Sequence, residues 1–175
     1  GFFVKLQVYR IELRILFMKK CSIGIVGLSF GRYIVQQLRT GDPGKYFQLA
    51  AVCDVDKTKL AKVAEESQAR AVPNLDILLR DPALDVIGLF TGPAGRGDLI
   101  RRILLAGKHV LTTKPFELDP EEAQRVLQEA RQRGLVVHLN SPPPTLPADL
   151  AVILAWQDQY ELGRPVGCRA DVWAS

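Results

Sequence analysis

The stretch Ser22-Ile-Gly-Ile-Val-Gly-Leu-Ser-Phe-Gly-Arg32 decides the fold, because an apolar run gives way to glycines and then to a helical pattern. A buried parallel strand that ends in such a turn brings backbone N–H groups at a helix N-terminus close to a pyrophosphate. The spacing departs from G-x-G-x-x-G, since Ser29 and Arg32 stand at the second and third glycine positions. The Ser29 side chain either crowds a pyrophosphate or donates a hydrogen bond to it, and a plain structural turn stays open.

A second apolar strand, Phe47-Gln-Leu-Ala-Ala-Val-Cys-Asp54, ends in a carboxylate 23 residues after Gly31. An acidic side chain at this place accepts hydrogen bonds from the adenosine ribose of NAD. The same carboxylate repels the 2′-phosphate of NADP, although Lys57 and Lys59 are close enough in sequence to offset that repulsion. The two strands together therefore predict a dinucleotide site that prefers NAD and leaves NADP open.

Apolar strands and amphipathic helices alternate from Cys21 to Asn140. This alternation predicts an α/β fold with a doubly wound parallel sheet in the order 3-2-1-4-5-6 and ligands at the carboxyl ends of its strands. The expected strands are residues 21–27, 47–53, 69–72, 85–90, 108–113 and 135–139. The expected helices run from 31 to 40, from 56 past 64, from 75 to 79, through 99–104, and from 119 to 134. In the last helix the inward positions are Ala123, Val126, Leu127 and Ala130.

Composition divides the chain into three parts. Residues 1–20 are predicted to be an N-terminal extension, either from a start upstream of Met18 or a genuine edge strand. Residues 21–141 form the predicted dinucleotide-binding domain. Residues 142–175 are predicted to be a proline-rich linker, a helix over 148–162 and a strand from Cys168, which begin a second, α+β domain that continues beyond Ser175.

The excess positive charge is confined to the N-terminal extension, since residues 1–20 carry a net charge of +4 and the other residues a net charge of zero. Nucleic-acid binding needs basic charge on the folded surface, so no nucleic-acid partner is expected. No apolar run approaches the ~18 residues of a membrane span. The three cysteines, Cys21, Cys53 and Cys168, form no C-x-x-C pair, so no metal site is expected and the cytoplasm is the predicted location. Cys21 and Cys53 are expected in buried strands.

Three further stretches point to a family: Phe90-Thr-Gly-Pro93 after the fourth strand, Ala106-Gly-Lys-His-Val-Leu-Thr-Thr-Lys-Pro115 around the fifth, and Asn140 after the sixth. With them, the sequence resembles the glucose–fructose oxidoreductase, inositol dehydrogenase and rhizopine catabolism (Gfo/Idh/MocA) family over about residues 20–175. The Gly-Lys-His-Val and Lys-Pro combination is far more specific than the glycine turn.

The resemblance implies a Rossmann domain followed by a domain built on an open antiparallel sheet. It also implies a dehydrogenase or reductase that uses NAD or NADP on sugars, polyols or related carbonyl compounds. Lys114 is the implied catalytic residue, near the nicotinamide and the substrate, where an ammonium stabilises charge that develops on oxygen. The implied cofactor-binding residues are Gly27, Ser29, Phe30 and Gly31 at the pyrophosphate, Asp54 at the adenosine ribose, Thr91, Gly92 and Pro93 towards the nicotinamide, and Asn140.

The sequence also departs from the family pattern. Thr113 replaces the glutamate of Glu-Lys-Pro, and Arg96 stands where family members often carry histidine. The aspartate and histidine that the family places near its substrate would lie beyond Ser175. We therefore expect this chain by itself to bind dinucleotide with little or no turnover, and to form a homo-oligomer only with a complete second domain. A non-catalytic dinucleotide sensor or scaffold is the alternative. His109 and His138 fall in predicted strands and are expected to be structural.

Overall fold

The structure, a computed structural model, describes residues 19–140 together with residues 152, 155–157 and 159–161. Within the helix expected over 148–162, the described residues 152, 155–157 and 159 are helical. The expectations for residues 1–18, for the proline-rich linker and for the strand from Cys168 lie outside the described residues. The chain separates into two compact units, Gly1–Ser141 and Pro142–Ser175.

Six parallel strands form a single sheet in the order β3-β2-β1-β4-β5-β6, which confirms the predicted doubly wound α/β fold. The strands are β1 (Cys21–Val26), β2 (Phe47–Cys53), β3 (Arg70–Val72), β4 (Val86–Leu89), β5 (His109–Thr112) and β6 (Val137–Leu139). In the register, Val26 pairs with Leu89, Leu89 with Thr112, and Thr112 with Leu139. The carboxyl ends of β1, β4, β5 and β6 therefore lie side by side along one edge of the sheet.

The connecting helices are α1 (Leu28–Thr40), α2 (Lys57–Ser67), α3 (Leu75–Arg80), α4 (Arg96–Leu105) and α5 (Pro120–Gln132), and a short 3₁₀ turn covers Asp42–Lys45. Asp56, Asn74 and Asp119 cap α2, α3 and α5, because their side-chain oxygens accept hydrogen bonds from the first backbone N–H groups. Within the described residues, no helix combines the length and the hydrophobicity that crossing a bilayer requires.

The start of α1 differs from the sequence-based expectation of a helix that begins at Gly31. The helix begins at Leu28, because Gly27 alone reverses the chain with a φ of 85°. A left-handed backbone of this kind is open to glycine and strained for other residues. Ser29, Phe30 and Gly31 therefore belong to the first turn of α1 and not to a longer glycine loop.

Two apolar cores cover the two faces of the sheet. One core joins α1 and α2 to β1 and β2, and the other joins α4 and α5 to β4 and β5. Two expectations about burial were wrong. Cys21 is exposed, because it is the first residue of β1 at the amino edge of the sheet. Leu127 is 41% exposed, since Val126 and Ala130, four residues apart, form the buried stripe of α5.

The Gly-Lys-His-Val stretch serves the fold at the amino edge of the sheet. Lys108 is buried, and its Nζ donates hydrogen bonds to the carbonyls of Asp81 at 2.6 Å and Leu84 at 2.8 Å, just before β4. His109 accepts a hydrogen bond at Nδ1 from the N–H of Val136 at 3.0 Å, which is the structural role expected of it. His138 lies in β6, as expected, and is exposed.

Candidate functional site

The glycine turn brings the end of β1 into direct contact with the end of β4. A Cβ on Gly27 would lie 2.7 Å from the backbone carbonyl atoms of Phe90, so this approach requires glycine. A Cβ on Gly31 would lie 2.9 Å from Cγ2 of Ile25, so this glycine lets α1 pack closely against β1. Gly27 and Gly31 thus provide the tight turn and the close helix packing that the first and third glycines of a dinucleotide fingerprint provide.

The N-terminus of α1 is open to an anion. Gly27 supplies no side-chain cap, and the first turn of the helix contains no acidic residue. In an α-helix the first N–H groups have no carbonyl partner within the helix, which leaves those of Ser29 and Phe30 free of intrahelical bonds. The helices α2, α3 and α5 carry side-chain caps, whereas α1 and α4 begin after glycines that provide none. The first turn of α1 also lacks the acidic residue that α4 has there, which suits a phosphate group.

Asp54 connects the end of β2 to this open helix end. Its Oδ2 accepts a hydrogen bond from the N–H of Leu28 at 2.6 Å, and its Oδ1 accepts one from the N–H of Asp56 at 2.9 Å. Burial raises the pKa of Asp54, but these backbone hydrogen bonds and the charge of Lys59 outweigh it, so its pKa lies below the ordinary value. The side chain is therefore an ionised carboxylate at neutral pH, and each oxygen keeps a lone pair for a ribose hydroxyl.

Ser29 stands at the position of the second fingerprint glycine. It is exposed, and its hydroxyl oxygen accepts a hydrogen bond from a cation. Nζ of Lys59, in the first turn of α2, donates to Oγ of Ser29 at 3.1 Å. The substitution of glycine by serine is thus accompanied by an ammonium group beside the N-terminus of α1. This arrangement adds positive charge where a pyrophosphate would lie.

Phe30 lies near the ends of β1 and β4, between which the sheet changes its winding direction. Its ring is 42% exposed and lies 5.6 Å from the ring of Phe90, at the end of β4. In doubly wound folds the ligand lies at this switch point, beyond the carboxyl ends of the strands. The side chain of Phe30 therefore borders the crevice, and its backbone belongs to the helix end beneath it.

The remaining predicted residues follow the next strands along the same edge. Thr91, Gly92 and Pro93 directly follow β4 and Phe90, and Gly92 is exposed, with open space where a Cβ would lie. Lys114 follows β5, is exposed, and precedes a cis peptide bond to Pro115.

Asn140 follows β6, and it borders a cavity as well as the carboxyl edge of the sheet. Its backbone N–H donates to the carbonyl of Thr112 at 2.6 Å, which fixes it beside the end of β5. It also lines a cavity of about 690 Å³ against one face of the sheet, together with His109, Leu111 and His138. The structure thus places the backbone of Asn140 at the carboxyl edge, two strands from the crevice between β1 and β4.

Arg96 also lies at this edge, and its hydrogen-bonding role there could not be recognised from the sequence. It is 2% exposed, and its guanidinium donates hydrogen bonds to the carbonyls of Thr91, Thr113 and Pro115. Burial lowers the pKa of Arg96, against the opposing charge of Glu117. The sequence showed only an arginine where related proteins often have histidine, because nothing local reveals which strand ends a side chain will join.

In the described part of the chain, no three His, Cys, Asp or Glu side chains come together in a way that would hold a metal ion. The described site combines an open helix N-terminus, a carboxylate and an exposed lysine, which follow strands β1, β2 and β5 along one edge of the sheet. That set suits a negatively charged nucleotide with ribose hydroxyls.

Comparison with known proteins agrees with this geometry. A family model described as an oxidoreductase family with an NAD-binding Rossmann fold, GFO_IDH_MocA, matches residues 21–141. The UDP-N-acetylglucosamine 3-dehydrogenase of Acidithiobacillus ferrooxidans is 33% identical over 115 residues, which cover 65% of this chain and 34% of that enzyme. The scyllo-inositol 2-dehydrogenase (NAD(+)) of Bacillus subtilis is 26% identical over 149 residues, which cover 84% and 42% of the two chains.

Solved structures show the same similarity. The A. ferrooxidans dehydrogenase superimposes with a TM-score of 0.66 at 30% identity, over 79% of this chain and 44% of that one. KijD10, a 3-ketoreductase from Actinomadura kijaniata solved with NADP, superimposes with a TM-score of 0.62 at 25% identity, over 70% and 39%. This chain thus spans less than half the length of these relatives. The match over residues 21–141, the sheet order and the resemblance at the strand ends agree, and the chain belongs to the GFO_IDH_MocA family of oxidoreductases with an NAD-binding Rossmann fold.

Proposed function

We propose that this chain binds a nicotinamide dinucleotide, with the pyrophosphate at the N-terminus of α1 and the adenosine ribose at Asp54. The hydrogen bond from the N–H of Leu28 to Oδ2 of Asp54, at 2.6 Å, carries this proposal. It joins the helix end and the carboxylate into one unit, so the two groups that a dinucleotide needs keep a fixed separation. The free N–H groups of Ser29 and Phe30 then bind phosphate oxygens.

The other predicted residues receive roles from their places along the edge. Gly31 keeps α1 close to the sheet beneath the pyrophosphate. Thr91, Gly92 and Pro93 line the path from the pyrophosphate to the nicotinamide, and Asn140 contacts the cofactor from the end of β6. The bound cofactor supplies hydride chemistry at its nicotinamide ring. The ammonium of Lys114 stabilises negative charge that develops on a substrate oxygen, or donates a proton to it.

The complete protein is proposed to be an NAD(P)-dependent oxidoreductase that acts on a sugar, a polyol or a related carbonyl compound. The similarity to a UDP-N-acetylglucosamine dehydrogenase and to a scyllo-inositol dehydrogenase supports this substrate class. Because the chain spans less than half the length of those enzymes, we propose that it binds cofactor with little turnover by itself. We further propose a domain boundary near residue 141, with homo-oligomers formed through a complete second domain, in the cytoplasm and with no nucleic-acid partner.

NAD is the proposed cofactor, and NADP is the second candidate. The ionised carboxylate of Asp54 repels a 2′-phosphate on the adenosine ribose. Lys59 works in the opposite direction, because its ammonium lies at Ser29, on the same side of the helix end. The balance favours NAD, since Asp54 is the group fixed by two backbone hydrogen bonds.

Titration of the 175-residue chain with NADH tests the proposed binding. We expect saturable enhancement of nicotinamide fluorescence and a rise in melting temperature, since a ligand at 100 times its Kd adds about 2.7 kcal/mol to stability. Asp54→Asn is expected to weaken NADH, whereas Asp56→Asn keeps an N-cap for α2 and leaves the affinity unchanged. A chain that gives neither a fluorescence change nor thermal protection would contradict the proposal.

Lys114→Ala in a chain that includes the second domain separates an enzyme from a non-catalytic sensor. An enzyme loses turnover by about 10²-fold or more while its NADH affinity changes little, because the ammonium acts on charge that develops during the reaction. A sensor shows no turnover to lose. The measurement is the initial rate with a panel of sugars and polyols, beside the Kd for NADH.

A further inference from the structure

We propose that Arg96 is the positioning residue for the nicotinamide half of the cofactor. Its guanidinium holds the loop after β4 at a fixed separation from the loop after β5, and it anchors the backbone on both sides of Lys114. This inference rests on the proposed function and assigns a new part to a residue outside the predicted binding set. The loop after β4 contains Thr91, and the loop after β5 contains Thr113, Lys114 and Pro115.

The three carbonyls that Arg96 binds come from both loops. Nη2 donates to the carbonyl of Thr91, after β4, while Nη1 donates to the carbonyls of Thr113, at 2.7 Å, and Pro115, after β5. A guanidinium presents its donors in one rigid plane, so the positions of its acceptors are fixed relative to one another. The separation of the two loops is therefore set by the width of one side chain.

Lys114 lies between the two carbonyls that share Nη1. Thr113 precedes it and Pro115 follows it, so the backbone on both sides of Lys114 is anchored to the same atom. The side chain of Lys114 is itself exposed. Its ammonium thus moves only by rotation about side-chain bonds, from a backbone position that Arg96 determines.

The burial of Arg96 has an energetic cost. Among the described residues, Nε of Arg96 is buried without a hydrogen-bond partner, and the acceptors of the other nitrogens are neutral carbonyls. Burying a cation in this way carries a desolvation penalty that neutral acceptors offset only in part. A fixed geometry at the edge where the ligand lies explains why the charge is placed there.

Glu117 holds the first turn of α4, which carries Arg96. Its Oε2 accepts a hydrogen bond from the N–H of Gly97 at 2.6 Å, and its Oε1 accepts one from the N–H of Leu118 at 2.6 Å. A Cβ on Gly97 would lie 2.8 Å from that Oε2, so the carboxylate occupies the space that the glycine leaves open. The guanidinium therefore extends from a base that is tied to the segment after Pro115.

The test compares two ligands that share the adenosine and pyrophosphate groups, NADH and ADP-ribose, of which only NADH carries a nicotinamide. In the 175-residue chain, Arg96→Lys keeps the charge but cannot bridge three carbonyls. We expect it to weaken NADH by about fivefold to thirtyfold, the range of 1–2 kcal/mol, and to leave the affinity for ADP-ribose unchanged. Both dissociation constants are measured by calorimetry.

Lys108→Met is the matched control, because Lys108 is another buried cation bound to backbone carbonyls, at the opposite end of β5. We expect it to lower stability and to leave the ratio of the two dissociation constants at the wild-type value. Arg96→Gln is a second variant for the case in which Arg96→Lys does not fold, and the same change in the ratio is expected from it.

Three outcomes would overturn the inference. The first is an Arg96 variant whose ratio of dissociation constants equals that of the wild type, and the second is an equal loss of affinity for both ligands. The third is a wild-type chain that binds NADH no more tightly than ADP-ribose. Each of these leaves dinucleotide binding intact, whereas a wild-type chain that binds neither ligand contradicts the proposed function itself.

Discussion

A buried cation lies near each end of strand β5 and donates hydrogen bonds to backbone carbonyls, but the two sets of bonds have different consequences. At the amino end, Lys108 binds two carbonyls of the single segment that precedes β4. At the carboxyl end, Arg96 binds carbonyls that belong to two different loops. The bonds of Lys108 fix one connection against the sheet, and those of Arg96 fix the distance between two loops at the carboxyl edge.

The polar groups of the two edges differ in the same way. At the amino edge, the N–H of Ser22 donates to Oδ2 of Asp85 at 2.8 Å, and the N–H of Asp85 donates to the carbonyl of Ser22 at 2.9 Å, so these groups are mutually satisfied. At the carboxyl edge, the N-terminus of α1 has no side-chain cap of its own and Lys114 is exposed. The amino edge therefore serves stability, and the carboxyl edge keeps groups available for a ligand.

A pair of glycines gives the largest expected contrast between the edges. Gly27 has a φ of 85°, and an added Cβ would lie 2.7 Å from the backbone of Phe90, whereas Gly107, before β5, has a φ of 72° and open space around it. We expect Gly27→Ala to lower the free energy of unfolding by about 3 kcal/mol or more and to abolish NADH binding, because steric overlap adds to backbone strain. We expect Gly107→Ala to cost about 1 kcal/mol and to retain binding. Urea unfolding and NADH titration measure both effects, and equal losses for the two variants would refute the contrast.

A second contrast isolates the stabilising role of the amino edge. Lys108→Met leaves the carbonyls of Asp81 and Leu84 without their donor, so we expect the free energy of unfolding to fall by about 2 kcal/mol. Its NADH affinity should equal that of the wild type. Lys62→Met, an exposed position on α2, is the control, with an expected change within about 0.5 kcal/mol. A loss of NADH affinity in Lys108→Met would show that the two edges are not independent.

The smallest expected effect comes from two carboxylates at opposite ends of β1. Asp85 accepts a hydrogen bond from the N–H of Ser22, near the start of the strand, and Asp54 accepts one from the N–H of Leu28, just after its end. Because the pKa of Asp54 is lowered in the folded chain, its contribution to stability is present at neutral pH and is lost as the pH falls below about 4. The difference in free energy of unfolding between wild type and Asp54→Asn should therefore shrink towards acid pH. Chemical unfolding at a series of pH values measures it, and a difference that grows in acid would be the contrary result. Asp85→Asn should destabilise the chain without weakening NADH.

The order of the strands and most helix positions could be predicted from sequence, because hydrophobic periodicity is local to each segment and right-handed crossovers restrict the strand order. The start of α1 could not, since the prediction assumed a turn of several residues where Gly27 alone makes the turn. The inward position predicted for Leu127 was also wrong. The rotation of α5 about its axis is set by how Val126 and Ala130 pack in the core, which the sequence alone does not show.

Within the candidate site, the sequence predicted which residues follow which strands, and the structure set how they connect. The positions of Gly27, Asp54 and Lys114 at strand ends followed from the alternation of strands and helices. The hydrogen bond from Leu28 to Asp54 joins residues that are 26 positions apart in the sequence. The hydrogen bonds of Arg96 reach carbonyls up to 19 positions away. No local pattern carries that information.

By itself, then, the sequence determined the doubly wound sheet, the edge at which a ligand is expected and the residue types available there. Those properties follow from short-range periodicity and from the backbone freedom of a few glycines. Only the tertiary structure decided that Arg96 would join the loops after β4 and β5, and that Lys108 would serve the opposite edge. The physical reason is that a buried donor must find acceptors, and which carbonyls are near it is settled only when distant segments pack together.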